Sequence, residues 1–404
     1  MRKTIIMLAA ALFCFAATTT NAQEKPKQGG YIFTTVKANP ITSIKNQGSS
    51  GTCWCFSTTS FLESEAIKNG KADTSLNLSV MYSVSKNYLE KMEKYVRLDG
   101  YLNFAEGGAF EDVIHTFRDY GVVQEADMPT LRDGATRVNF AEMTALSTAL
   151  AEAVKKVPGR GRQLSPKYLD IYKNILETYL GKCPETTTYK GVTYSAKDFV
   201  TKGLGLNMDD YVSVTSFTHH PFYTAFAIEV PDNWRWDLSY NVPMEEMMAI
   251  IDNAIENGYT IGWGTDVSET GFTRDGIGVV PDVQANEKSF VGSDQERWVG
   301  QDPNARRAAV NNLNSPGKEL VITQKMRQEG YDNKTTTDDH GMHIYGIAKD
   351  QNGTKYYMVK NSWGPTGKYN GIWYASVPFV QYKTLNILVN KKAIPTAIRK
   401  KMGI

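Results

Sequence analysis

Apolar positions recur along the first half of the chain at helical spacing. Phe110, Val113, Ile114 and Phe117 fall at i, i+3, i+4 and i+7, and Gly121 follows as a stop. An earlier helix is expected to open at Cys53, with Thr52 as N-cap, and to end at Gly70. Residues 138–182 read as more helix, broken at Pro158-Gly159. A further helix opens at Pro243; Met244, Met247, Met248, Ile251 and Ile255 line one face as core, and Gly258 closes it. Beyond Gly258 the pattern turns to strands at Tyr259–Trp263, His343–Ile347, Tyr356–Lys360, Ile372–Ser376 and Leu385–Val389. Asn352-Gly353 marks a hairpin between the second and third of these. Residues 266–335 are rich in Gly, Asn, Asp and Ser and read as long loops, with one helix near Leu320–Gln328. The expectation is an α+β chain: a lead-in over 23–45, a helical domain over 46–130, a helical insertion over 131–205 and a β-rich domain over 206–404.

Composition narrows this picture. The 404 residues are 41% hydrophobic and 22% charged, which excludes a mainly disordered, collagen-like or coiled-coil protein. Residues 1–22 stand apart: Arg2 and Lys3 precede an apolar run from Ile5 to Ala17, and Thr20 and Ala22 offer a small-x-small cleavage site. This reads as a secretory signal peptide, placing the mature chain outside the cell or in the periplasm with no stable membrane insertion. Without that leader, Lys+Arg and Asp+Glu balance at 43 each, which argues against nucleic acid as a partner. The basic cluster Lys155, Lys156, Arg160 and Arg162 reads as a solvated face. Of four cysteines, Cys14 leaves with the leader. Cys53, Cys55 and Cys183 remain, an odd number that leaves at least one thiol free.

The segment Gln47-Gly48-Ser49-Ser50-Gly51-Thr52-Cys53-Trp54-Cys55-Phe56-Ser57 carries the chemistry. A cysteine at a helix N-terminus meets the positive end of the dipole, which favours the nucleophilic thiolate. Gln47 can supply a side-chain N–H beside the backbone N–H of Cys53, and together these would hold the oxyanion of a tetrahedral intermediate. A base is needed. Among five histidines, His115 falls within a helix and His219 and His220 in a polar-aromatic loop, which leaves His340 and His343. Their separation is odd, so on a strand they point to opposite faces and only one can face Cys53.

Gln-Gly-x-x-Gly-x-Cys-Trp-x-Phe-Ser resembles the papain-like cysteine peptidases. The resemblance implies a two-domain fold, with a helical left domain and a β-barrel-like right domain carrying large helical and loop insertions. That family sets its catalytic histidine six residues before a glycine; His340 stands so before Gly346, which leaves His343 as packing. Asn361-Ser362-Trp363-Gly364 is similar to the family's Asn-Ser-Trp-Gly. Asn361 would then orient the imidazole and Trp363 would shield that bond and help bind substrate. Gly107-Gly108 resembles the glycine pair that presents backbone to substrate as an added strand; on spacing alone, a plain turn before a helix fits as well.

Two features point to a branch. Ser50 stands where the family's usual pattern has a disulfide cysteine. Cys53 and His340 lie 287 residues apart, against roughly 130–150 in ordinary relatives. Leu206–Ser213, Asn241-Val242-Pro243 and Val389–Pro395 are similar to segments of the bleomycin hydrolase / aminopeptidase C branch. That branch lays its C-terminal arm in the cleft, where a terminal carboxylate meets the substrate's amino group. Here that would be Ile404, reached by a short arm that carries Lys400 and Lys401. A leader is a departure from that branch, which is mostly cytosolic. Only 24 residues separate Ala22 from Gln47, too few for an inhibitory domain.

The expectation is therefore a secreted or periplasmic cysteine peptidase of aminopeptidase type acting on peptides, with no metal or organic cofactor. A homo-oligomer is compatible with the sequence. The rivals are a cysteine endopeptidase with an open cleft and a non-catalytic peptide-binding protein on a peptidase fold.

Overall fold

A computed structural model describes residues 30–159, 161–283, 313 and 315–404. The expected leader and Arg160 of the basic cluster lie outside the described residues. Strand β1 (Thr34–Ala38) leads into α1 (Cys53–Lys68). Every residue of α1 from Trp54 to Ala66 is buried, so this helix is enclosed on all sides rather than amphipathic. Its polar side chains are accommodated locally: Ser57 Oγ donates to Cys53 O at 2.8 Å and Thr58 Oγ1 to Trp54 O at 2.7 Å.

Helix α2 (Val80–Arg97) is absent from the sequence expectation. Ser79 caps it by accepting from Tyr82 N, and Val80, Val84, Tyr88, Met92 and Tyr95 are buried. Buried Ser83, Asn87 and Lys91 interrupt this apolar face and hid it. Helix α3 (Phe110–Asp119) buries the expected four apolar residues. The 138–182 stretch forms α4 (Ala141–Lys155) and α5 (Lys167–Leu180), divided at Pro158-Gly159. A hairpin of β2 (Thr186–Tyr189) and β3 (Val192–Ser195) follows, turning on Lys190 and Gly191 at positive φ, and then a one-turn helix α6 (Ala196–Asp198). Helices α1 to α5 share one hydrophobic core, which extends to Leu206, Met208 and Tyr211.

The second core lies on the sheet. Its strands are β4 (Tyr211–Thr215), β5 (Ala225–Ala227), β6 (Leu238–Asn241), β7 (Ile261–Thr265), β8 (Ile277–Gly278), β9 (His340–Lys349), β10 (Lys355–Lys360), β11 (Ile372–Ser376) and β12 (Thr384–Asn390). They run in the order β5-β6-β4-β12-β7-β9-β10-β11-β8. One edge of β9 is shared: its first half pairs with β7 and its second half with β1, both antiparallel. Helix α7 (Met244–Glu256) buries its methionines and isoleucines in this core. Helix α8 (Gln324–Asp332) starts four residues later than expected, because the Thr323 hydroxyl accepts from Met326 N and sets the first turn there. Helices α9 (Val377–Lys383) and α10 (Thr396–Met402) complete the element order. No helix among the described residues is long and apolar enough to cross a membrane.

Candidate active site

The N-terminus of α1 meets the start of β9, and this junction places Cys53 and His340 on one cleft of about 590 Å³. Cys53 is the first residue of α1, so its backbone N–H has no intrahelical partner. The loop before it is held from several sides. Gly51 N donates to Glu106 Oε2 at 2.5 Å, and Trp54 Nε1 donates to Glu106 O at 3.1 Å. Gly48 has φ of +60°, and a side chain there would collide with the Val138 carbonyl.

His340 is buried, and its Nε2 lies 2.8 Å from Asn361 Oδ1. The same oxygen accepts from Ser362 N at 2.7 Å. A backbone N–H can only donate, so this Asn361 atom is the acceptor and His340 Nε2 carries the proton. Nδ1 is then left as the free basic nitrogen. Trp363 stacks on the imidazole with ring centroids 4.8 Å apart. The Gln47 amide is fixed in turn: Ser362 Oγ donates to Gln47 Oε1 at 2.5 Å, and Gln47 Nε2 donates to Ser50 O at 2.8 Å. One Nε2 hydrogen is left uncommitted.

Burial pushes the Cys53 thiol up to about 11, with the backbone of Gly341 opposing and the charges of Asp338 and Asp232 adding to the rise. Burial likewise lowers His340 to about 4, against the bond to Asn361. The helix terminus favours thiolate, as expected from the sequence, while withdrawal from water acts in the opposite direction on both groups.

The cleft lining is acidic. Glu111, Asp232, Asp237, Asp338 and Asp339 contribute to it, and among the described residues neither lysine nor arginine does. Burial lifts Glu111 to about 7, and burial followed by the charge of Asp232 lifts Asp338 to about 7. Gly108 lines the cleft beside Trp54. Gly107 is covered instead: a methyl group there would overlap the Asp232 carboxylate, and its carbonyl accepts from Lys91 Nζ at 2.8 Å. Trp363 stands behind His340 and is not among the lining residues.

The Peptidase C1-like family matches residues 3–296 and 278–403, which is most of the chain. The chain belongs to that family. It is a cysteine peptidase, and its α+β fold is papain-like. It is 22% identical to aminopeptidase G of Lactobacillus delbrueckii subsp. lactis over 394 residues, covering 87% of this chain and 82% of that one. It is 20% identical to aminopeptidase C of Listeria innocua, covering 86% of this chain and 80% of that one. A crystal structure of pepw from Lactobacillus rhamnosis superposes with a TM-score of 0.70 at 16% identity, covering 92% of this chain and 84% of that one.

Within this Peptidase C1-like chain the remaining candidates fall away from Cys53. His343 is fully buried, its Nδ1 2.9 Å from Ser60 Oγ, two turns along α1 from Cys53. Cys55 is buried and its thiol rises well above the ordinary range; Cys183 is half-buried, and all three described cysteines are free. His115 pairs with Asp237 at 2.8 Å. His219 and His220 converge on Glu229, with ligand atoms of all three within 4.8 Å of one another. Among the described residues this is the grouping that could hold a metal, and it does not line the cleft.

Whether the short C-terminal arm reaches the cleft is open from the sequence, and the structure places it elsewhere. Residues 396–402 form α10, seated on the sheet core through Ile398 and Met402, with Lys401 paired to Glu246 on α7. Nothing from 391–404 lines the cleft, because the amphipathic segment finds an apolar surface beside α7 before it could extend. Ser362, Glu106 and Lys91 were missed as positioning residues. Ser362 was legible inside the Asn361–Gly364 motif, whereas Glu106 and Lys91 act across the fold and left no local signal.

Proposed function

We propose that the protein is an aminopeptidase working by acyl transfer to Cys53, exported to the periplasm or beyond through the leader at residues 1–22. His340 Nδ1 takes the thiol proton as Sγ attacks the carbonyl carbon of the scissile bond. The Cys53 backbone N–H and the uncommitted Gln47 N–H receive the oxyanion. The tetrahedral intermediate collapses, and the leaving amine takes its proton from His340. Water, deprotonated by His340, then splits the thioester and regenerates the thiol. Asn361 keeps the imidazole in the tautomer this sequence needs.

The observation that carries this reading is the junction of Cys53, at the α1 terminus, with a histidine whose Nε2 is committed to Asn361. The aminopeptidase assignment is supported by the names of relatives matched over four-fifths of their length. The test is hydrolysis of matched free-amino and Nα-blocked peptides by the purified chain. Preference for the free amine, with turnover and epoxide labelling both lost in Cys53→Ala, is expected. Equal cleavage of blocked peptides would make it an endopeptidase, and an exported protein retaining Met1 would remove the leader.

A further inference from the structure

An enzyme that removes residues from a free N-terminus needs a wall on the N-terminal side of its cleft and an anion for the substrate ammonium. The cleft's wall is the segment preceding β6. Ile228, Val230 and Asp232 all line the cleft, and Asp232 covers Gly107, beside which a longer peptide would have to run. The carboxylates are not equivalent. Asp237 is held through Oδ1 by His115, its Oδ2 being buried without a partner among the described residues, and Glu111 is engaged by Ser213. Asp339 accepts from Thr337 Oγ1 at 2.7 Å and from Ser268 N at 3.1 Å. Among the described residues Asp232 accepts a single bond of 3.2 Å, from Asn103 Nδ2 to Oδ1. Asp338 is half-buried and makes no hydrogen bond or ion pair among the described residues, although it lies within the field of Asp232. The nearby cation, Lys91, is spent on the Ala105 and Gly107 carbonyls, each at 2.8 Å.

We propose that Asp232 and Asp338 together form the subsite for the α-ammonium of a peptide substrate, fixing cleavage after its first residue. The proposal rests on the aminopeptidase reading above and deepens it. Two under-bonded carboxylates in one desolvated cleft repel each other and are relieved by a shared cation. Both line the same cleft as Cys53, Asp338 two residues before His340 in the chain, so a cation held between them shares that cleft with the nucleophile. The ammonium is separated from the scissile carbonyl carbon only by Cα, so the anion that receives it has to line the same cleft as Cys53, as these two do. The same cation would offset part of the negative charge that opposes thiolate formation, so binding a correct substrate would also ease activation of Cys53.

The experiment compares kcat/KM on an aminoacyl substrate and its Nα-acetyl counterpart for the full chain, Asp232→Asn and Asp338→Asn. Active enzyme is counted by epoxide titration. Wild type should prefer the free amine. Each variant should lose roughly tenfold to a hundredfold on it without losing that factor on the acetyl substrate, so that the preference ratio collapses. A wild type that prefers the free amine, with ratios unchanged in both variants, overturns this subsite and leaves the aminopeptidase reading standing. Equal losses on both substrates also overturn it, because they mark a structural role. A wild type with no preference sinks the aminopeptidase reading and the subsite together. If Asp232→Asn fails to titrate, Asp338→Asn carries the test.

Discussion

Asn361 accepts two hydrogen bonds on one oxygen, and this separates the two histidines of β9 by role. His340 keeps Nδ1 free and lines the same cleft as Cys53. His343 spends its Nδ1 on Ser60, and burial first, then the charge of Lys360, holds it far below the ordinary histidine range. Its place in the molecule is to fill the α1–β9 contact. His340→Ala should therefore lower kcat by at least about a hundredfold, in line with the loss of a general base, with little change in Tm. His343→Ala should retain much of that activity per titrated site, but lose about 1–3 kcal/mol of stability as its cavity stays unfilled. Parallel thermal melts and epoxide-titrated kinetics check both. The reverse pattern would exchange the roles.

At the scale of elements, catalysis depends on how closely α1 lies on β9. Gly341 makes that approach possible: a Cβ there would stand 2.8 Å from Ser57 Oγ, 3.1 Å from Phe110 Cε1 and 3.3 Å from Trp54 Cα. Ser57 cannot swing away without breaking its bonds to Cys53 O and Trp54 O. Gly341→Ala should thus push the first turn of α1 off the strand, costing about 1–3 kcal/mol as overpacking. It should also lower kcat more than it raises KM, since the Cys53–His340 spacing opens. Steady-state kinetics beside a urea melt would show it; unchanged kcat would mean the contact is soft. A similar cross-element link joins the oxyanion donor to the orienting residue, because Gln47 N donates to Ser362 O at 2.8 Å and Ser362 Oγ to Gln47 Oε1 at 2.5 Å.

At the scale of the whole molecule, the chain end is structural. Ile398 and Met402 are buried against the sheet core, and Lys401 reaches Glu246. A chain ending at Pro395 should lose about 3–6 kcal/mol, from two apolar side chains returned to water. Its ratio of free-amino to blocked turnover, measured per titrated site, should match full length. A shift toward blocked substrates on truncation would return the arm to the cleft. The lead-in is also remote: β1 pairs with Gly346–Lys349, the half of β9 away from His340.

The sequence alone determined what local spacing can carry. Cys53 at a helix start, the strand parity of His340 and His343, the α3 and α7 faces and the Asn352-Gly353 turn were all legible, because each depends on residues within one or two turns of chain. Even so, parity told only that the two histidines differ. The histidine facing α1, His343, proves to be the packing one, and His340 reaches the cleft because it begins β9 where α1 begins. Helix α2 was lost to the pattern because its buried Ser83, Asn87 and Lys91 find partners or enclosure only once the fold has formed. Asp232 over Gly107, Glu106 beneath Gly51 and the docking of α10 on the sheet core likewise join segments distant in sequence. Which charges stay paired, and which face the nucleophile unpaired, depends on desolvation and on neighbours brought in from elsewhere. Only the tertiary structure could decide that.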